Sequence, residues 1–169
     1  MCIRDSFQTF VNPGRRLTPE IIGLTGITDA MLADAPSPKE ALTAFLDFVG
    51  GRPLAAHNAE FDISFIRAGC RREGLPFDPT YVDSLILAQN LLPELHKFKL
   101  DIVAEYLDLP AFNHHRASDD AAMVAYMLIP FFQKMEKELG IRRLQDINPQ
   151  MLKLRPRGSK SSRFPKHII

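Results

Sequence analysis

The chain has 169 residues, is 46% hydrophobic and 24% charged, and carries a formal net charge of +1. That balance suits one globular domain with a sizeable core and excludes a chain whose overall charge announces a polyanion partner. Two cysteines, Cys2 and Cys70, exclude a disulfide-built scaffold, and no apolar run approaches the ~20 residues of a membrane span.

In chain order, "MCIRDS" lacks the apolar core of a signal peptide and does not read as the start of a fold. The two cysteines, with no disulfide framework, make a reducing cytosol the expected compartment. Phe7–Val11 alternates apolar and polar and ends at Asn12-Pro13-Gly14, which predicts a strand and a turn. Thr18-Pro19-Glu20 predicts a helix start, and Thr28 a cap on a short helical turn. Ser37-Pro38-Lys39-Glu40 is a capping-box pattern, followed by Ala41, Leu42, Phe45, Leu46 and Val49 on one helical face and a stop at Gly50-Gly51.

"PLAAHN" reads as a short buried strand. "AEFDISFIRAGCRRE" reads as a helix with Phe61, Phe65 and Ile66 turned inward. "TYVDSLILAQNLL" predicts a strand that passes into a helix near Asp83, and "KLDIVAEYLDL" another amphipathic helix. The longest helix begins within "NHHRASDDAAMVAYML" and runs toward Gly140, with a kink expected at Pro130. Helices alternating with short apolar strands predict an α/β fold.

Charge is unevenly distributed. Residues 142–169 hold eight Lys or Arg against one acid, Asp146, whereas the preceding 141 residues hold 13 basic and 19 acidic residues. The basic segment reads either as a solvated tail or as a polyanion contact.

Two stretches carry chemistry. Asp62 lies in the first turn of a helix that follows a buried strand, and ligands of open α/β sheets gather at the carboxyl ends of strands. Alone, it reads equally as an acid favoured by the helix dipole. Asp120 shares a helical face with Val124 and Met127, so its carboxylate faces inward and needs a partner, of which a metal ion is one kind. His115 stands just outside that helix, where an imidazole with a resting pKa near 6.5 suits proton abstraction from water. Alone, it is an ordinary loop histidine.

Taken together, "AHNAEFD" and the His-x-Ala-x-x-Asp of His115, Ala117 and Asp120 resemble the DnaQ-like DEDD exonucleases in their histidine variant. "LTGITDAML" and "VDSLILAQNLLP" resemble the same family between those motifs. The flanks "FVNPGRRLTPEIIGLTGITDAML" and "RPRGSKSSRFPKHII" are similar to the exonuclease region of PolC-type bacterial DNA polymerase III alpha subunits.

The resemblance implies a ribonuclease H-like fold of three layers around a mixed sheet. It implies 3′–5′ removal of nucleoside monophosphates from a single-stranded DNA 3′ end, as in proofreading. Two Mg²⁺ or Mn²⁺ ions would be held by carboxylates, among them Asp62 and Asp120, with His115 as the base. Gly26, Ile27, Thr28 and Asn58 become candidate substrate contacts, although a glycine turn and a helix cap explain the first three as well. Asp83 falls at a position of structural kind, a strand end and helix cap. The remainder of a polymerase chain is the implied partner, and no membrane is.

One departure stands out. The family's first motif, Asp-x-Glu on the first strand, supplies two of its four carboxylates, and no Asp in this chain has a Glu two residues on. The expectation is a sheet without its first strands, with 1–6 a foreign leader, 7–140 an incomplete exonuclease domain and 141–169 a basic extension. Such a chain would show little activity. The competing readings are a non-catalytic binding fragment and an RNA-trimming exonuclease of the same fold.

Overall fold

A computed structural model describes residues 5–110 and 117–147. Seven α-helices and two strands follow in order: α1 Pro19–Thr25, α2 Asp29–Leu32, α3 Pro38–Val49, β1 Leu54–Ala56, α4 Ala59–Glu73, β2 Tyr81–Asp83, α5 Ser84–Leu91, α6 Leu100–Tyr106 and α7 Ala117–Lys134. A π-helical turn, Met135–Leu139, continues α7, which carries Pro130 inside it.

Local chemistry explains the helix starts. Pro19 sits in the first turn of α1, where no backbone donor is needed, and the Thr18 hydroxyl accepts the Ile21 N–H at 3.4 Å. Ser37 and Glu40 form the reciprocal capping box: Glu40 N–H donates to Ser37 Oγ at 3.3 Å, and Ser37 N–H to Glu40 Oε2 at 2.8 Å. Thr28 precedes α2 in an extended conformation, but its side chain makes no cap bond.

β1 and β2 pair in parallel, with Leu54 opposite Tyr81, Ala55 opposite Val82 and Ala56 opposite Asp83. α4 is the crossover, so the segment 54–83 is one βαβ unit. Among the described residues the sheet holds these two parallel strands, not the mixed set expected.

The strand expected at Phe7–Val11 is not there. A strand needs a neighbouring ladder, and among the described residues this stretch has none; just beyond it, Asn12 N–H reaches the Pro36 carbonyl at 2.9 Å. Of its apolar residues Phe7 packs, while Phe10 and Val11 are exposed. Phe7 lies against Phe45 and Phe48 of α3, with ring centroids 6.3 and 5.7 Å away.

The inward face of α4 also differs. Ala59, Ile63 and Cys70 are buried, whereas Phe61 and Phe65 are 45% and 56% exposed and pack ring to ring at 4.9 Å. Beside that exposed face, α3 approaches α4 closely at Gly69. A Cβ on Gly69 would stand 3.1 Å from Leu42 Cδ1, so only a small residue fits at that crossing.

The main core lies between α5, α6 and α7. Leu87 and Leu91, Val103 and Ala104, and Met123, Met127 and Phe131 meet there with almost no exposure, joined by Val82 of β2. Each large apolar side chain so buried contributes about 1.5–3 kcal/mol. The core thus ties α7, and Asp120 with it, to the sheet.

Candidate active site

The site begins where β1 ends. His57 leaves the strand, and Asn58 takes a left-handed conformation, φ 72°, unusual for a residue with a side chain. The turn is held by Asp83, the last residue of β2. Its buried carboxylate accepts the N–H groups of Asn58 and Ala59 at 3.1 Å each, and those of Leu85 and Ile86 at 2.9 and 3.4 Å. One carboxylate therefore satisfies orphan donors at the starts of both α4 and α5. Asp83 holds the structural place that its sequence context suggested.

This clamp aims the first turn of α4, and with it Asp62, over the strand ends. Asp62 and Asp120 line one cavity of about 650 Å³, which opens beside Ala55, Ala56 and His57. Asp120 is half-buried on the face of α7 that buries Val124 and Met127, as the helical spacing requires. Desolvation inside the cavity raises the Asp62 carboxyl above its ordinary value, against a backbone hydrogen bond that lowers it, and the nearby Asp83 charge adds to the rise. A carboxylate in that state gains from a cation brought close to it.

His57 joins three segments. Its Nε2 lies 2.7 Å from the Phe98 carbonyl, which can only accept, so Nε2 carries the proton and donates. Nδ1 lies 2.9 Å from the Ser84 hydroxyl. Burial lowers the ring's pKa, partly offset by the Phe98 bond and by the charges of Asp83 and Asp101, so the ring is held neutral.

The other sequence candidates fall as follows. His115 lies outside the described residues. Gly26 is the left-handed cap of α1, φ 70°, with its N–H on the Ile22 carbonyl at 2.8 Å. Ile27 and Thr28 lead into α2. None of the three lines the Asp62–Asp120 cavity, and neither does Asn58, whose backbone serves the turn. Sequence reasoning passed over Lys99 and Asp101, which form another wall of the cavity. The local sequence marks them only as the start of an amphipathic helix, and only the packing of α6 against α7 brings them to the strand ends.

The carboxylates of Asp62, Asp101 and Asp120 in one cavity are hard oxygen donors of the kind Mg²⁺ or Mn²⁺ prefers. Among the described residues no group of three or more ligating side chains stands together. The donor set therefore fits a divalent ion in part, with Asp62 and Asp120 as the ligands that the sequence motifs single out and Asp101 on the same cavity wall.

Comparison with known proteins identifies the class. The exonuclease family model, RNase_T, matches residues 2–128, and the chain belongs to that family of nucleases. Its α/β architecture is accordingly a ribonuclease H-like exonuclease fold.

More particularly, the chain is 40% identical over 150 residues to the PolC-type DNA polymerase III of Caldanaerobacter subterraneus subsp. tengcongensis. It is 40% identical over 150 residues to that of Clostridium perfringens and 41% identical over 150 residues to that of Staphylococcus aureus. These alignments cover 88–89% of this chain, which spans about a tenth of the length of those relatives. Among solved structures it is similar to exonuclease X in complex with 5′ overhanging duplex DNA. The TM-score is 0.55 with 28% identity, covering 78% of this chain and 73% of that one. Among the described residues no helix is long and apolar enough to cross a membrane.

Proposed function

We propose that this chain is the 3′–5′ exonuclease region of a bacterial replicative DNA polymerase, removing nucleotides from a single-stranded DNA 3′ end. The observation that carries the reading is that Asp62 and Asp120, from distant stretches of chain, line one cavity at the carboxyl ends of parallel strands. The likeness to PolC-type polymerases supports DNA as the substrate and the remaining polymerase chain as partner. Neither motif by itself separates DNA from RNA.

Divalent ions supply charge stabilisation and water activation when bound to sites of this kind. The residues of this chain do the rest. Asp62 and Asp120 provide oxygen ligands from opposing elements, α4 and α7. His115, two residues before Ala117 in the sequence, is the residue that we assign to accept the proton of the attacking water on a ring nitrogen. His57 and Asp83 hold the turn that carries Asp62. The substrate-contact roles of Gly26, Ile27, Thr28 and Asn58 rest on the family resemblance.

Because no Asp-x-Glu is present, the chain lacks two of the four carboxylates that the family resemblance implies for a pair of ions, and we expect only trace hydrolysis from it. The test is stepwise release of nucleoside monophosphates from a 3′-labelled single strand. The chain is compared with a fusion to an apolar strand segment bearing Asp-x-Glu from a PolC-type relative. The fusion should be active and the chain alone nearly silent. In the fusion, His115→Ala should slow turnover by about 10²–10⁴-fold with metal binding largely kept, whereas Asp120→Ala should abolish both. Robust hydrolysis by the chain alone, or an active fusion indifferent to His115, would overturn these assignments.

A further inference from the structure

We propose that Lys99 holds a non-bridging phosphate oxygen of the nucleic-acid strand over the Asp62–Asp120 cavity, and that His57 positions it there. The proposal rests on the nuclease reading above and adds to it a substrate contact that the family motifs do not supply.

The argument is one of charge. Three carboxylates line the cavity: Asp62, Asp101 and Asp120. A phosphodiester brought among them is repelled unless cationic groups meet it. Among the described lining residues Lys99 is the one Lys or Arg. It is exposed, and among the described residues its side chain makes no ion pair and no hydrogen bond, so its ammonium is not committed to a structural partner. An ammonium with three donors on a flexible stem suits a phosphate as a point charge. The ordinary alternative, a solvated surface lysine, describes Lys97, which is also exposed but does not line the cavity.

The wall that carries Lys99 is pinned. His57 Nε2 donates to the Phe98 carbonyl at 2.7 Å, one residue before Lys99, and Nδ1 meets Ser84 at the start of α5. Lys99 itself is extended, φ −67° and ψ 153°, just ahead of α6, and its carbonyl accepts the Val103 N–H at 3.0 Å. The backbone on both sides of Lys99 is thus tied down, one side of it to the strand end beside Asp62. His57 is a positioning residue in this scheme, since it acts through the Phe98–Lys99 backbone.

The test measures binding of the single-stranded oligomer (dT)₁₀ to the intact chain with Mg²⁺ present, so that the weak hydrolysis expected of it does not matter. Backbone amide NMR shifts at Ala55 and Ala121 report whether the oligomer enters the cavity. Fluorescence anisotropy across a salt series reports affinity and its salt slope. Lys99→Gln should weaken binding about tenfold, as loss of a hydrogen bond to a charged group does. It should also lower the slope of log K against log salt by about 0.7, the value of one phosphate contact on a single strand. Lys99→Arg should restore both, and Lys97→Gln should change affinity less than about twofold.

His57→Phe, confirmed as folded by its thermal melt, should lose affinity and slope as Lys99→Gln does, and the double variant should lose little more. If His57→Phe does not fold, His57→Asn is read by the same two measurements. Cavity amides that shift with an unchanged affinity and slope in Lys99→Gln would overturn the lysine assignment and leave the nuclease reading standing. A folded His57 variant that keeps both values would overturn the positioning role. An oligomer that shifts no cavity amide would overturn the nuclease site together with this proposal.

Discussion

The Asp83 carboxylate accepts the backbone N–H of Ala59 at 3.1 Å, so the last residue of β2 fixes the first residue of the helix that carries Asp62. The same carboxylate also accepts N–H groups from Asn58, Leu85 and Ile86. Asp83→Ala would leave one buried donor, Ala59 N–H, and three part-buried ones without their acceptor, at a cost of about 3 kcal/mol. Asp83→Asn, which keeps one carbonyl oxygen, should lose less. Urea denaturation checks both, and a loss under about 1 kcal/mol in Asp83→Ala would show that the clamp lies elsewhere.

Asp62 should destabilise the folded chain at neutral pH. Desolvation, with a smaller push from Asp83, raises its carboxyl above the ordinary 3.8. The folded state therefore binds this proton more tightly than the unfolded state. Its contribution to stability is full below pH 3.8 and is lost as pH rises through the raised value. Asp62→Asn should accordingly melt higher than the parent at pH 7 in chelator, with the gap closing toward pH 3. Equal melting temperatures at pH 7 would refute the desolvation.

His57 acts in the opposite sense. Its pKa is lowered from 6.5 chiefly by burial, so the folded state binds its proton less tightly. Stability is full above about pH 6.5 and falls as pH drops through the lowered value. The urea midpoint of the parent should decline between pH 7 and pH 5, and a folded His57→Phe variant should lack that decline. NMR titration of the ring assigns the effect: a ring that titrates above 6.5 would contradict it.

Phe131 is 1% exposed at the centre of the α5–α6–α7 core, and Phe65 is 56% exposed on α4. Phe131→Ala should cost about 3–5 kcal/mol, through lost burial and the cavity left behind. Phe65→Ala should cost within about 0.5 kcal/mol. The two denaturation midpoints decide it, and comparable losses would mean that the faces of α4 have been read the wrong way round.

Much of this protein was legible in the residues themselves. Capping chemistry acts over three or four positions, so Thr18-Pro19 and Ser37-x-x-Glu40 announce their helices wherever the rest of the chain goes. The spacing of Asp120 to Val124 and Met127 states that its carboxylate faces inward, because helical period is a local property. The motif around Asp62 and the motif ending at Asp120 pointed to an exonuclease family to which the chain does belong. That inference needed residue types and order, not coordinates.

Tertiary structure decided the rest, because it turned on partners distant in sequence. Phe7–Val11 alternates like a strand, yet a strand exists only beside another, and the Phe7 ring found α3 instead. Phe61 and Phe65 are as apolar as any core residue, yet the elements packed around α4 cover Ala59, Ile63 and Cys70 instead. Lys99 and Asp101 look like the ordinary charged start of a helix. They reach the cavity because His57 fixes the chain before them and the core holds α6 against α7. Local physics wrote each element; which side chains share one cavity was settled by packing over long loops of chain, to which short-range patterns are blind.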